Sequence, residues 1–376
     1  MNNLLLKNKS INNQRNSALE ILRIISMLMI VFHHFAIHGE FEWETNFITV
    51  PHLWYNFIIL WGKLGVNLFV LISGYFLISD KDCSINIKKI LKFLGQVVFY
   101  SVLIYSLFVI FMGESLNVES IIKAFFPIAF QNWWFASTYF LLFLIHPFLN
   151  MGLIALDKKS YQKFIILFVF IWSVLLTIMS KTYQSNEFVW FVLLYAIAGY
   201  ARLYGFNEKM TSKQYFILAF IIMLITYLAT NYITFLETKN EIGTGHELYF
   251  SDMQKTTTFF SAICLFMAFV KIKPFYNKWV NIISSATFGV YLLHDSNYTR
   301  TFLWHDLFKN SNYQETAMII PYSIFVVFIV YIACVIIDLI RQYTVEKVYM
   351  LFVDKISKPI KLIFNKVFVL LKKIFF

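Results

Sequence analysis

Long apolar runs, interrupted by short polar segments, set the pattern of the chain. Many runs reach about 18 residues or more, the length needed to span a bilayer. Ten are read as spans, near 18–38, 53–78, 90–112, 133–155, 161–180, 188–204, 214–236, 256–271, 279–297 and 317–340. The second is long, and a break is expected at Gly62 or Gly65. The short alternating segments of a membrane β-barrel are absent. The expected fold is therefore all-α and polytopic, with about ten transmembrane helices.

The polar positions inside these runs carry the next information, because ionisable groups in lipid are costly and face the protein interior or water. The first span holds Glu20, Arg23, His33 and His34. Successive helical residues lie about 100° apart, so Arg23 and His34, eleven steps apart, differ by only about 20°. Glu20 falls on the same side, and His38 lies one turn beyond His34. One stripe runs Glu20, Arg23, His34, His38, with His33 about 80° from Arg23. Geometry alone is equally compatible with a Glu–Arg pair and histidines bonded to neighbouring helices.

Composition sharpens the class. Apolar residues are 59% and charged ones 14% of 376 residues, against about a quarter charged in soluble proteins. The net charge of +11 points to anionic lipid and topology rather than nucleic acid, because the basic residues sit between spans. With the N-terminus inside, alternate segments hold 24 Lys and Arg on the inner side and six on the outer. Both termini are thus expected to be cytoplasmic. Residues 1–17 read as a cytoplasmic leader, 18–340 as the membrane domain and 341–376 as a basic amphipathic tail on the inner surface. The leader shows no signal-peptide cleavage pattern. Cys83, Cys264 and Cys334 form no disulfide or metal spacing, so no metal is expected.

Three further stretches stand out. "GKLGVNLFVLISGYFLI", residues 62–78, combines small residues that permit close helix approach with Lys63, Asn67, Ser73 and Tyr75. "NWWFASTYFLLFLIHPFLN", residues 132–150, puts Trp133 and Trp134 where an interfacial belt is expected. "FGVYLLHD" ends in His294 and Asp295.

Together these stretches resemble the acyltransferase 3 family, membrane acyltransferases that modify carbohydrates. The family's acidic-x-x-Arg, with a His eleven residues after the Arg, is matched by Glu20, Arg23 and His34. Its Gly-Val-x-Leu-Phe-Phe…Ser-Gly-Tyr/Phe, Trp-Phe…Tyr-Leu…Pro-x-x-Asn and Tyr-Leu-x-His segments are similar to "LGVNLFVLISGYFLI", "WWFASTYFLLFLIHPFLN" and "YLLH". The chain departs from the pattern at Glu20 for Asp, Ile24 for Gly and Val70 for Phe.

The resemblance implies transfer of an acyl group, usually acetyl, from cytoplasmic acetyl-CoA to a hydroxyl of a surface polysaccharide or its lipid-linked precursor. His34, about 16 residues or roughly 24 Å into the first span, is then the expected general base, with a covalent acyl-histidine as the variant. Arg23, with Lys88 and Lys89, could meet CoA phosphates; equally, Arg23 could simply pair with Glu20. His33, Ser73, Tyr75, Trp134 and His294 are the candidates for positioning substrate. The expected location is a bacterial cytoplasmic membrane. An exporter of polysaccharide or lipid-linked sugar is the rival reading, and a membrane sensor or assembly subunit a third.

Overall fold

The computed structural model describes residues 16–375, apart from 44–47, 80–84, 180–184, 240–241, 243–244 and 247. Residues 1–15 of the leader, Lys81, Cys83 and Lys181 lie outside the described residues.

Among the described residues the chain is helical throughout, with no strand. In order the helices are α1 Ser17–Ile37, α2 Val50–Ile59, α3 Trp61–Leu77, α4 Ile87–Phe111 and α5 Val118–Phe125. Next come α6 Trp134–Ala155, α7 Lys158–Met179, α8 Glu187–Tyr204, α9 Ser212–Thr238 and α10 Thr256–Val270. The last are α11 Lys278–Ser285, α12 Thr287–His294, α13 Asn297–Thr301, α14 Ile319–Tyr343 and α15 Val345–Phe375. Short polar residues start most of the long helices. Asn16, Thr49, Asn86, Asp157, Asn186, Thr211 and Asn277 each accept a hydrogen bond from a first-turn backbone N–H, which satisfies donors that a helix cannot satisfy itself.

Nine helical segments among the described residues are long and apolar enough to cross a membrane, and α2–α3 counts as one of them. That segment is interrupted at Leu60, not at the expected Gly62 or Gly65. Both glycines lie inside α3 and serve helix contact instead. A Cβ at Gly62 would fall 2.1 Å from Cγ of His33, so only glycine leaves room for that ring.

The expected ninth span, 279–297, differs more. It is two eight-residue helices, α11 and α12, separated at Ala286. The hydroxyls of Ser285 and Thr287 bond back to the carbonyls of Ile282 (2.7 Å) and Ser284 (2.8 Å). Such local bonds compete with the backbone ladder. Here they flank the break.

Burial separates an inner from an outer set. α1, α2–α3, α8 and α10 are the more enclosed, while α4, α6, α7 and α9 leave most of their apolar surface open. α1 is central, in contact with α2, α3, α10, α11, α12 and α14. Trp133 is buried, at 2% exposure, rather than placed at an interface; the membrane belt expected there gives way to core packing. α15 is held on α4 and α14 by ion pairs. Lys88 meets Asp354 at 2.6 Å, and Glu346 receives Lys92 (2.5 Å) and Arg341 (2.8 Å). Glu346 is partly buried, which opposes its charge, yet Lys92 and Arg341 hold its carboxyl below the ordinary range.

Candidate active site

The stripe on α1 faces the broken pair α11–α12, and Glu20, Arg23 and His34 each find a partner there or within α1. At the N-terminal end of α1, Arg23 donates to Oε2 of Glu20 at 2.7 Å. The same carboxylate oxygen accepts from the Ser284 hydroxyl of α11. Glu20 is buried and the Arg23 side chain is 16% exposed. Further along, roughly 16 Å from Arg23 by helical rise, Nδ1 of His34 lies 2.9 Å from Nε2 of His294 on α12.

The bonding pattern fixes the ring protons. His294 Nδ1 sits 2.6 Å from the Val290 carbonyl oxygen. A carbonyl can only accept, so a neutral His294 carries its proton on Nδ1 and a lone pair on Nε2. That lone pair must accept from Nδ1–H of His34. His34 is left with its own lone pair on Nε2, the atom a general base uses. The ring is buried, at 8% exposure, and points into the protein.

A carboxylate backs this arrangement. Oδ1 of Asp295 lies 3.4 Å from His34 Nδ1 and 3.5 Å from His38 Nε2. Arg300, from α13, donates its Nε to the same oxygen at 2.7 Å. A positive charge formed on His34 would therefore have a buried carboxylate beside it. His38 Nε2 and Asp295 Oδ2 are both buried without a hydrogen-bond partner. The ligand atoms of His34, His38 and Asp295 all lie within 4.8 Å of one another, a group able to hold a cation.

The other expected residues are dispersed. His33 donates from Nδ1 to the Ile59 carbonyl at 2.7 Å, at the end of α2. Lys63 lies over the Trp134 ring at 5.0 Å. Ser73 bonds to the Phe69 carbonyl of its own helix at 2.9 Å. Tyr75 accepts from Arg202 at 3.3 Å and lies beneath its guanidinium. Lys88 is engaged with Asp354, and the Lys89 backbone N–H is capped by Asn86. The structure thus brings His34 and His294 into direct contact, with the His33 ring 5.7 Å from that of His34, and joins Glu20 to Arg23, while Tyr75, Lys88 and Lys89 bond elsewhere. Two apolar cavities, of about 170 and 450 Å³, touch neither His34 nor Arg23.

Sequence reasoning missed the roles of Asp295, Arg300 and Ser284. Asp295 was visible as the residue after His294, but nothing in the spacing tied it to α1. Arg300 and Ser284 carry no signal of their own.

No curated protein and no solved structure matches the chain. The acyltransferase domain of the acyltransferase 3 family matches residues 16–339, a stretch that runs from the cap of α1 almost to the end of α14 and contains both ends of the His34–His294 contact. With its apolar helices, this coverage establishes that the chain is a multi-pass membrane protein belonging to the acyltransferase 3 family.

Proposed function

We propose that this protein is an O-acetyltransferase of a bacterial cytoplasmic membrane, moving an acetyl group from cytoplasmic acetyl-CoA to a hydroxyl of a surface polysaccharide or its lipid-linked precursor. The observation that carries this reading is the hydrogen bond between His34 and His294, which leaves Nε2 of a buried imidazole as a lone pair. An exporter or a sensor has no use for a base held in that form.

In the proposed reaction Nε2 of His34 takes the proton of the acceptor hydroxyl as its oxygen attacks the thioester carbonyl. The carbon–sulfur bond then breaks, and the imidazolium returns the proton to the departing thiolate. Asp295, 3.4 Å from Nδ1, stabilises the imidazolium. His294 fixes the ring orientation. Arg23, held by Glu20, takes the role of phosphate contact for the donor near the N-terminal end of α1, with Lys88, once released from Asp354, and Lys89 assisting. The acyl arm then spans the roughly 16 Å from Arg23 to His34.

The test is alkali-labile acetyl content of the surface polysaccharide in cells carrying His34→Ala or His33→Ala at matched membrane abundance. Loss with His34→Ala and a milder change with His33→Ala are expected. Acetylation at the wild-type level with His34→Ala would remove the base from the mechanism. Purified protein should release free thiol from acetyl-CoA only when acceptor is added; glycan translocation without CoA would favour export.

A further inference from the structure

We propose that His34, His38 and Asp295 form a binding site for a divalent transition-metal ion of the zinc type, and that occupancy switches off the base. Only the consequence for catalysis rests on the function proposed above; the binding does not.

The geometry comes first. Zinc bonds to imidazole nitrogen and carboxylate oxygen at about 2.0–2.2 Å, which in a tetrahedral site places neighbouring ligand atoms a little over 3 Å apart. The separations of Asp295 Oδ1 from His34 Nδ1 (3.4 Å) and from His38 Nε2 (3.5 Å) match that edge. All three ligand atoms fall within 4.8 Å. Two imidazoles and one carboxylate form a donor set that zinc takes readily, with the remaining position open.

A second observation points the same way. His38 Nε2 and Asp295 Oδ2 are buried with no hydrogen-bond partner among the described residues. Buried polar atoms are ordinarily paired, whereas His38 Nε2 meets only Oδ1 of Asp295, at 3.5 Å, and Asp295 itself is 1% exposed. The His38 side chain, at 23% exposure, provides the way in.

The charged groups facing the site come from every element around it. His33, His34 and His38 belong to α1, His294 to α12, Asp295 follows α12 and Arg300 belongs to α13. Arg300 already holds Asp295 Oδ1 and repels a second cation, so the ion binds reversibly rather than as a permanent structural metal. A metal on Nδ1 of His34 displaces the proton that this atom otherwise gives to His294. The neutral ring then carries its proton on Nε2 and has nothing with which to accept one from a hydroxyl.

The test uses the full chain in detergent, equilibrated by dialysis against zinc chloride and assayed for bound zinc per chain. About one zinc per wild-type chain is expected, with binding weaker by at least about tenfold in His38→Gln. A wild-type chain that binds no zinc, or a His38→Gln chain that binds it fully, overturns the site. Should His38→Gln fold poorly, His38→Cys with cobalt(II) decides. A thiolate-to-cobalt absorption band supports the site, and its absence overturns it. If wild-type protein binds no zinc while His34→Ala still abolishes transfer, the metal reading fails and the base reading stands. If zinc binds and His34→Ala transfers normally, the reverse holds.

Discussion

His34 and His294 meet at 2.9 Å although 260 residues separate them in the chain. One ring is a donor because the other has been forced to accept. The Val290 carbonyl holds the proton of His294 on Nδ1, and this decides where the lone pair of His34 lies. Removing His34 should lower the transfer rate by about 10²–10⁴-fold, the usual contribution of a positioned base. Replacing His294 by Ala should cost less, on the order of tenfold, because the base stays but loses its orientation. His294→Gln offers an amide oxygen to the same N–H and should recover part of the loss. Rates measured at saturating acetyl-CoA separate these outcomes; equal activity in His294→Ala and wild type would show that the contact does not orient the base.

Gly62 and His33 form a second dependent pair. A Cβ at position 62 would lie within 2.1–2.6 Å of three His33 atoms. Gly62→Ala should destabilise the protein by about 1–3 kcal/mol, the range for overpacking a core. Adding His33→Ala removes the ring atoms but leaves the Cβ of residue 33 at 2.6 Å, so it should restore only part of the loss. Thermal unfolding midpoints in detergent for the two single variants and the double variant make the check.

Asp338 anchors the other side of α12. Its buried carboxylate accepts from Tyr100 (2.7 Å), Gln96 (3.2 Å), Arg341 (2.8 Å) and Gln342 (2.7 Å). A Cβ on Gly289 of α12 would fall 2.1 Å from its Cγ. Asp338→Ala leaves the guanidinium of Arg341, 3% exposed, with Glu346 but without its fully buried carboxylate and should cost about 3 kcal/mol, the low end for breaking a buried pair. The combined Asp338→Ala, Arg341→Met variant should be more stable than Asp338→Ala alone. The same unfolding measurement tests this, and an unstable double variant would place the cost elsewhere.

The tail should respond to acid in one direction. Burial opposes the charge of Glu346, but Lys92 and Arg341 keep its carboxyl below the ordinary range. A carboxyl depressed in the folded state contributes stability above its unfolded value, about 4.3, and loses it as pH falls through the folded value. Docking of α15 should therefore be constant from pH 8 to pH 6 and weaken only below about pH 4. Glu346→Gln should loosen it at every pH. Protection of the α15 backbone amides from hydrogen exchange, corrected for the intrinsic rate at each pH, reads the change.

Much of this architecture was legible in the sequence because lipid imposes simple rules. Long apolar runs announced most of the spans. The stripe from Glu20 to His38 followed from helical spacing alone. The face it meets did not. Ser284, His294 and Asp295 lie more than 250 residues away, and no periodicity links distant helices. The break at Ala286 was hidden because its short polar residues bond locally, which hydropathy does not register. The three-residue cation group escaped a search for spaced motifs for the same reason, since two ligands come from α1 and the third follows α12. Trp133 misled in the other direction, as an aromatic residue near a span end suits an interface and a core equally.

The distance in sequence between α1 and its partners has a consequence for biosynthesis. The first helix leaves the ribosome carrying Glu20, Arg23, His33 and His34, while Ser284 and His294 are still to be translated. At about 5–20 residues per second, the 260 residues between His34 and His294 take roughly 13–50 seconds to make. Throughout that interval the nascent helix holds Glu20 and His34 without Ser284 and His294, the partners that later enclose them. The insertion machinery, or water retained beside it, has to shelter that segment until the end of the chain arrives.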